Sequence, residues 1–169
     1  MSERREIARR SSGRWRPIAA AAGAAIALAL LGALATDLGP WYRSLREPSW
    51  KPPDILFGPA WTTIYACAAV AGVIAWRHAG TQSRREWILA LFALNGFANL
   101  LWSLLFFRLR RPDWALGEVA FLWLTIVLLM VYLGQTARAS GWLLLPYLVW
   151  VSFAAALNAA VVRLNGPFG

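Results

Sequence analysis

Residues 87–107 read WILALFALNGFANLLWSLLFF, twenty-one consecutive positions without a charge. At 1.5 Å per residue, a helix of that length spans about 30 Å, the thickness of a bilayer's hydrocarbon core. Four more uncharged runs of similar length occupy 17–36, 55–76, 119–137 and 139–162. Backbone polar groups in hydrocarbon must pair within their own segment, so each run is read as a helix. Regular two-residue alternation is weak and turn signals are not evenly spaced, which speaks against a barrel. The predicted fold is an all-α membrane protein, a bundle of five transmembrane helices. Residues 1–16 form a basic N-terminal tail and 17–169 a single domain.

Composition supports lipid as the solvent. Hydrophobic residues make up 59% of the 169 positions and mean hydropathy is +0.50, more apolar surface than a water-soluble domain of this length could hide. The net charge of +9 does not indicate nucleic-acid binding, because the arginines sit in short clusters between the runs, where they suit lipid headgroups. Cys67 is the only cysteine and His78 the only histidine. An internal disulfide, a thiolate metal cluster and a histidine pair are thereby excluded, and the usual general base is scarce. No catalytic residue, metal ligand or cofactor is assigned.

The first run, with its basic start and Ala33-Leu34-Ala35, resembles a cleavable signal sequence. Its length exceeds a typical signal core, so it is expected to stay as a membrane helix. With the N-terminus inside, ten basic residues fall inside and seven outside, a weak bias toward that orientation.

Alternation of five helices places the 37–54 loop on the same side as the start of run two, the end of run three, the start of run four and the end of run five. The unusual residues gather there. Trp61 and Tyr65 lie one turn apart in run two. Asn95, Asn99 and Trp102 share one face of run three, with Trp102 about 8 Å below the helix end. Trp114 precedes run four, and Trp150, Ala154, Leu157 and Asn158 trace one face of run five. Of the eleven tryptophans, Trp15, Trp76, Trp87 and Trp142 suit an interfacial belt. Trp61, Trp102 and Trp150 lie deeper and suit either ligand contact or core packing. Asn95 and Asn99 can be interhelical glue or polar anchors of a ligand site, whereas Asn158 reads as glue. Glu118 is expected to snorkel or to pair with a nearby arginine.

The loop contains Trp41-Tyr42, Leu45, Pro48, Trp50 and Pro52-Pro53. Its prolines stiffen it into a lid over the open end of the bundle. Arg43, Arg46 and Lys51 offer cations either to ligand carboxylates or to headgroups.

These residues resemble the TspO/MBR family of tryptophan-rich sensory and translocator proteins over most of the chain, from Trp41 to Asn165. The matching blocks are Trp41-Tyr42, Pro48-Ser49-Trp50-Lys51-Pro52-Pro53, Gly58-Pro59-Ala60-Trp61 with Thr63 and Tyr65, Asn99 with Trp102 and Phe106-Phe107, Trp114-Ala115, and Pro146-Tyr147-Leu148 with Trp150, Leu157-Asn158 and Arg163. The resemblance implies a homodimer in a bacterial cell envelope; the small residues Ala90, Ala93 and Gly96 of run three would permit close helix approach, as would several small-residue stripes on run one. It also implies a pocket for protoporphyrin IX-like tetrapyrroles beneath the loop. By motif match, Trp50, Trp61, Asn99, Trp102, Trp114, Trp150, Ala154 and Leu157 fall in that pocket, and Asn95 stands where a glutamine is common. Leu104 replaces a frequent proline, which is expected to straighten the end of run three. Ala159 replaces a tyrosine of the sterol-recognition segment, which weakens a sterol reading. Light-dependent porphyrin breakdown and transport of porphyrin or sterol-like lipids are the alternatives to simple binding.

Overall fold

The computed structural model describes residues 2–168, with side chains from Trp15 onward. The chain folds into helices α1 (Ser2–Ala35), α2 (Pro40–Ser44), α3 (Phe57–His78), α4 (Gln82–Ser103), α5 (Pro112–Thr136), α6 (Arg138–Trp142) and α7 (Leu145–Asn165). A single 3-10 turn at Asp54–Leu56 leads into α3, and a π-helical segment at Leu104–Arg108 extends α4. Five stretches are long and apolar enough to cross a membrane: Trp15–Ala35, Asp54–His78, Gln82–Arg108, Pro112–Thr136 and Arg138–Asn165. Most of the basic tail read over 1–16 falls at 1–14, whose side chains lie outside the described residues.

Helix α5 is the axis of the bundle. Ala115, Val119, Leu122, Ile126, Leu129 and Leu133 are all buried, at alternating steps of four and three. That spacing draws one apolar seam along the whole helix. The seam packs against α4 on one side and α7 on the other. Helix α1 is peripheral: 6% of its spanning window is buried, against 33% for α5. It lies along α3 and α4, so close that a Cβ on Gly96 would meet the Leu28 side chain at 3.7 Å. The Arg108 guanidinium donates to the Leu34 carbonyl, tying the end of α1 to the π segment.

Two elements depart from the sequence expectation. The end of the third span is not straightened by Leu104. It widens into a π-helical segment, with Leu109 N–H donating to Leu104 O at 2.9 Å, and is closed off by Arg111 N–H donating to Leu105 O at 2.9 Å. The cause is tertiary: the wider turn delivers both Phe106 and Phe107 to the aromatic cluster under the loop. Arg110 then takes a left-handed conformation at φ 55°, closing the helix before Pro112 starts α5. The fifth span is also not one helix. Leu143 and Leu144 form a turn between α6 and α7, because Pro146 has no N–H to donate and its ring would collide with the Trp142 carbonyl.

The core divides into three layers. One, around Ala71, Ala75, Leu129, Leu133 and Leu144, lies at the end away from the loop. The middle layer holds Ile64, Ala98, Val119, Leu122, Ile126, Tyr147 and Val151. The third, under the loop, joins Phe106, Ala115 and Val161 to Trp41, Tyr42, Leu45 and Trp102.

Candidate functional site: an aromatic cleft beneath the loop

The loop between α1 and α3 is held shut by contacts that start with its own sequence. Pro40 at the first helical position nucleates α2, and this short helix presents Trp41 and Tyr42 downward. Trp41 meets Phe106 edge-on with centroids 6.2 Å apart, and Tyr42 meets Phe107 at 5.7 Å. Further along, Lys51 forms an ion pair with Glu47 and lies 2.6 Å from Asp54. Its ammonium also sits 4.9 Å from the Tyr42 ring centroid, and Tyr42 Oη donates to Asp54 Oδ1 at 3.3 Å. Burial pulls the Lys51 pKa down, but hydrogen bonds with Asp54, Glu47 and Tyr42 outweigh it, and the net shift is upward. Burial raises the Tyr42 pKa, partly offset by Lys51.

The far end of the chain supplies a second fastening. Asn165 Oδ1 accepts from Arg46 N–H at 2.7 Å, and Asn165 Nδ2 donates to Arg46 O at 2.9 Å. One amide side chain at the end of α7 thus pairs with both backbone groups of one loop residue, as a neighbouring β-strand would.

Beneath this lid lies a narrow cleft lined by Tyr42, Leu45, Glu47, Lys51, Phe57, Trp102, Phe106, Phe107, Ala154, Leu157, Asn158 and Val161. Its open volume is about 60 Å³, whereas small-molecule pockets run to roughly 300–1,000 Å³. Aromatic rings fill the difference. Trp102 stacks on Phe106 with centroids 5.2 Å apart and meets Phe107 edge-on at 6.1 Å.

The structure sorts the residues singled out in the sequence into groups. Lys51, Trp102, Ala154 and Leu157 line the cleft. Trp50 and Trp150 flank it: Trp50 packs edge-on against Phe153, and Trp150 packs edge-on against Phe57, itself a lining residue. Trp61 lies one layer deeper, stacked on Tyr65 at 5.3 Å and edge-on to Tyr147 at 6.0 Å. Asn99 joins that layer, accepting from Tyr65 Oη and donating to Tyr147 Oη, each at 3.1 Å. Asn95 is deeper still and donates to Thr125 Oγ1 at 2.9 Å. Trp114 stands apart, half exposed, beneath the Arg111 guanidinium at 4.3 Å. Arg43 and Arg46 have exposed side chains on the outer face of the lid.

In the amide orientation that satisfies both its atoms, Asn158 donates to Pro112 O at 3.0 Å and accepts from Leu116 N–H at 3.1 Å. It therefore bridges α7 to the first turn of α5. Glu118 neither snorkels nor meets an arginine. Both its carboxyl oxygens are buried and have no hydrogen-bond partner among the described residues. The α5 seam turns Glu118 into the bundle, away from the headgroup region. Trp102 Nε1 is likewise buried without a partner among the described residues. Sequence reasoning passed over Phe57 in the cleft wall, Thr125 as the partner of Asn95, and Asn165 as a fastening. Phe57 carried a readable signal, because it lies four residues before Trp61 on the same helix face. Asn165 carried none.

A model of the TspO/MBR family matches residues 19–164 of this chain. The "Tryptophan-rich protein TspO" of Archaeoglobus fulgidus is 40% identical over 125 residues, covering 74% of this chain and 80% of that protein. The "Protein CrtK" of Rhodobacter capsulatus is 36% identical over 145 residues, covering 83% and 89%. The "Translocator protein" of Sus scrofa is 34% identical over 126 residues, covering 74% and 75%.

Proposed function

The chain belongs to the TspO/MBR family of multi-pass membrane proteins, and from that premise we propose that it captures porphyrin-like tetrapyrroles, such as protoporphyrin IX, beneath its loop. The observation that carries this reading is the convergence of Tyr42, Phe57, Trp102, Phe106 and Phe107 on one cleft. A flat macrocycle can exchange ring-on-ring contacts with these side chains without needing many polar anchors. The closed cleft is too small for it, so binding requires the lid to lift and the rings to part. Lys51 is already paired with Glu47 and Asp54. The exposed guanidinium groups of Arg43 and Arg46 are therefore the cations left for ligand propionates.

Tryptophan quenching during titration with protoporphyrin IX tests the site. Trp102→Ala removes a stacked ring and should weaken binding by roughly two- to tenfold from stacking alone, and more from lost contact area. Trp50→Ala should also weaken it, because Trp50 buttresses Phe153 beside the lid. Trp87→Ala and Trp142→Ala, at 58% and 69% exposed, should leave affinity unchanged. Equal losses at all four positions in folded protein would sink the site, as would binding that survives both Trp50→Ala and Trp102→Ala. A second reading, light-dependent breakdown of the porphyrin with molecular oxygen as oxidant, is favoured by the unpartnered Trp102 N–H beside the cleft. New products on illumination, lost in Trp102→Phe at unchanged affinity, would support it.

We also propose a homodimer built on α4. Ala90 and Ala93 face outward and allow close helix approach. Gly96 is already engaged, since a Cβ there would meet Leu28 of α1 at 3.7 Å. Cysteine crosslinking at positions 90 and 93, compared with position 96, tests that choice.

A further inference from the structure

At the membrane end opposite the lid, the chain reverses between α5 and α6 at Ala137. Gly134 and Gly141 meet there so closely that a Cβ on Gly141 would lie 2.8 Å from the Met130 carbonyl oxygen and 3.0 Å from Gly134 Cα. Two residues without side chains make the floor of a shallow groove of about 430 Å³. Its remaining walls are Met130, Val131, Arg138 and Trp142. The groove is apolar along its length and cationic at one end. Arg138 is exposed, and no ion pair or hydrogen bond engages its guanidinium among the described residues. Trp142 is 69% exposed, and an indole at the end of a span sits at headgroup depth. Val131 lies five residues before the end of α5, about 7.5 Å deeper.

We infer that this groove is a binding site for an anionic phospholipid. Its headgroup phosphate would meet Arg138 beside the Trp142 indole, and one acyl chain would run over Gly134 and Gly141 toward Val131 and Met130. The charge of the surroundings selects the occupant. Arg77, Arg84 and Arg85 belong to the same end of the bundle, with Glu86 as the acidic residue among them. Arg84 reaches across to Thr136 Oγ1 at 3.4 Å, which places the start of α4 beside the end of α5. A net positive field at headgroup depth favours an anionic lipid over a zwitterionic one. The proposal is independent of what binds beneath the lid.

Native mass spectrometry of the detergent-released full chain, titrated with phosphatidylglycerol or phosphatidylcholine of identical acyl chains, tests it. The wild type should retain phosphatidylglycerol more strongly. Arg138→Gln should weaken that lipid by about fivefold, the value of one basic residue at a charged lipid surface, and leave phosphatidylcholine unchanged. Val131→Trp, which fills the groove from an exposed position, should reduce both lipids. Arg163→Gln, at the opposite end, should change neither. Equal retention of the two lipids by the wild type would overturn the proposal, as would an undiminished preference in Arg138→Gln. So would Val131→Trp altering the dimer fraction at unchanged lipid retention, since a second copy would then be the occupant.

Discussion

Replacing Asn165 with alanine isolates the fastening that holds the lid to the last helix. The substitution removes the bonds of 2.7 and 2.9 Å between its amide and the Arg46 backbone. A net intramolecular hydrogen bond contributes about 0.5–1.5 kcal/mol, and solvent-accessible ones fall toward the low end. Two such bonds give about 1–2 kcal/mol, so opening of the loop should become about 5–30 times more frequent. The Trp41–Phe106 and Tyr42–Phe107 contacts and the Lys51 ion pairs stay intact, so the lid loosens and does not unfold. Hydrogen–deuterium exchange in lipid nanodiscs would show this as faster exchange of amides between Leu38 and Lys51. Peptides around Ile88 and Leu129, both in the buried layer at the far end, should keep their protection. Asn165→Asp keeps an acceptor for Arg46 N–H but loses the donor, and should fall between wild type and alanine. Loop exchange within twofold of wild type in Asn165→Ala would refute the reasoning, as would equal acceleration across the whole bundle.

Gly141→Ala should destabilise the protein by about 1–3 kcal/mol, the usual cost of overpacking, because its Cβ would press on backbone atoms of α5. Gly134→Ala, whose Cβ finds its nearest neighbour at 3.8 Å, should cost clearly less, and thermal unfolding in detergent ranks the two. Glu118→Leu should stabilise by about 1–3 kcal/mol, since it removes two buried oxygens without partners; a fall in melting temperature would show that the carboxyl has a structural partner. Lys51 has its pKa raised above the ordinary 10.5, so its contribution to lid closure is complete below that value and is lost only as pH rises beyond it. Loop protection, corrected for intrinsic exchange, should therefore stay level from neutral pH to about 9 in the wild type. A loss of protection over that range that is absent in Lys51→Met would contradict this.

The five spans were legible because the thickness of hydrocarbon and the pairing needs of the backbone act on composition and length, which any sequence displays. The side of the membrane on which Trp61, Trp102, Trp150 and the loop assemble was legible too, since alternation of helices leaves one answer. Helical spacing likewise put Asn95, Asn99 and Trp102 on one face of α4. Spacing could not tell which of them lines a cleft and which closes a hydrogen bond. That depended on Thr125, Tyr65 and Tyr147, which lie 30, 34 and 48 residues from their partners.

The bundle and its orientation around the loop were thus determined by local, additive properties of the chain. Tertiary packing decided the π turns after Ser103, the division of the fifth span at Leu143 and Leu144, and the pairing of Lys51 with Glu47 and Asp54. It also set Asn165 against Arg46 across 119 residues and left the Glu118 carboxyl without a hydrogen-bond partner among the described residues. Each of these outcomes is a competition between partners distant in the chain. The winner is set by which side chain reaches which neighbour once five helices have packed, a relation that no single stretch of sequence contains.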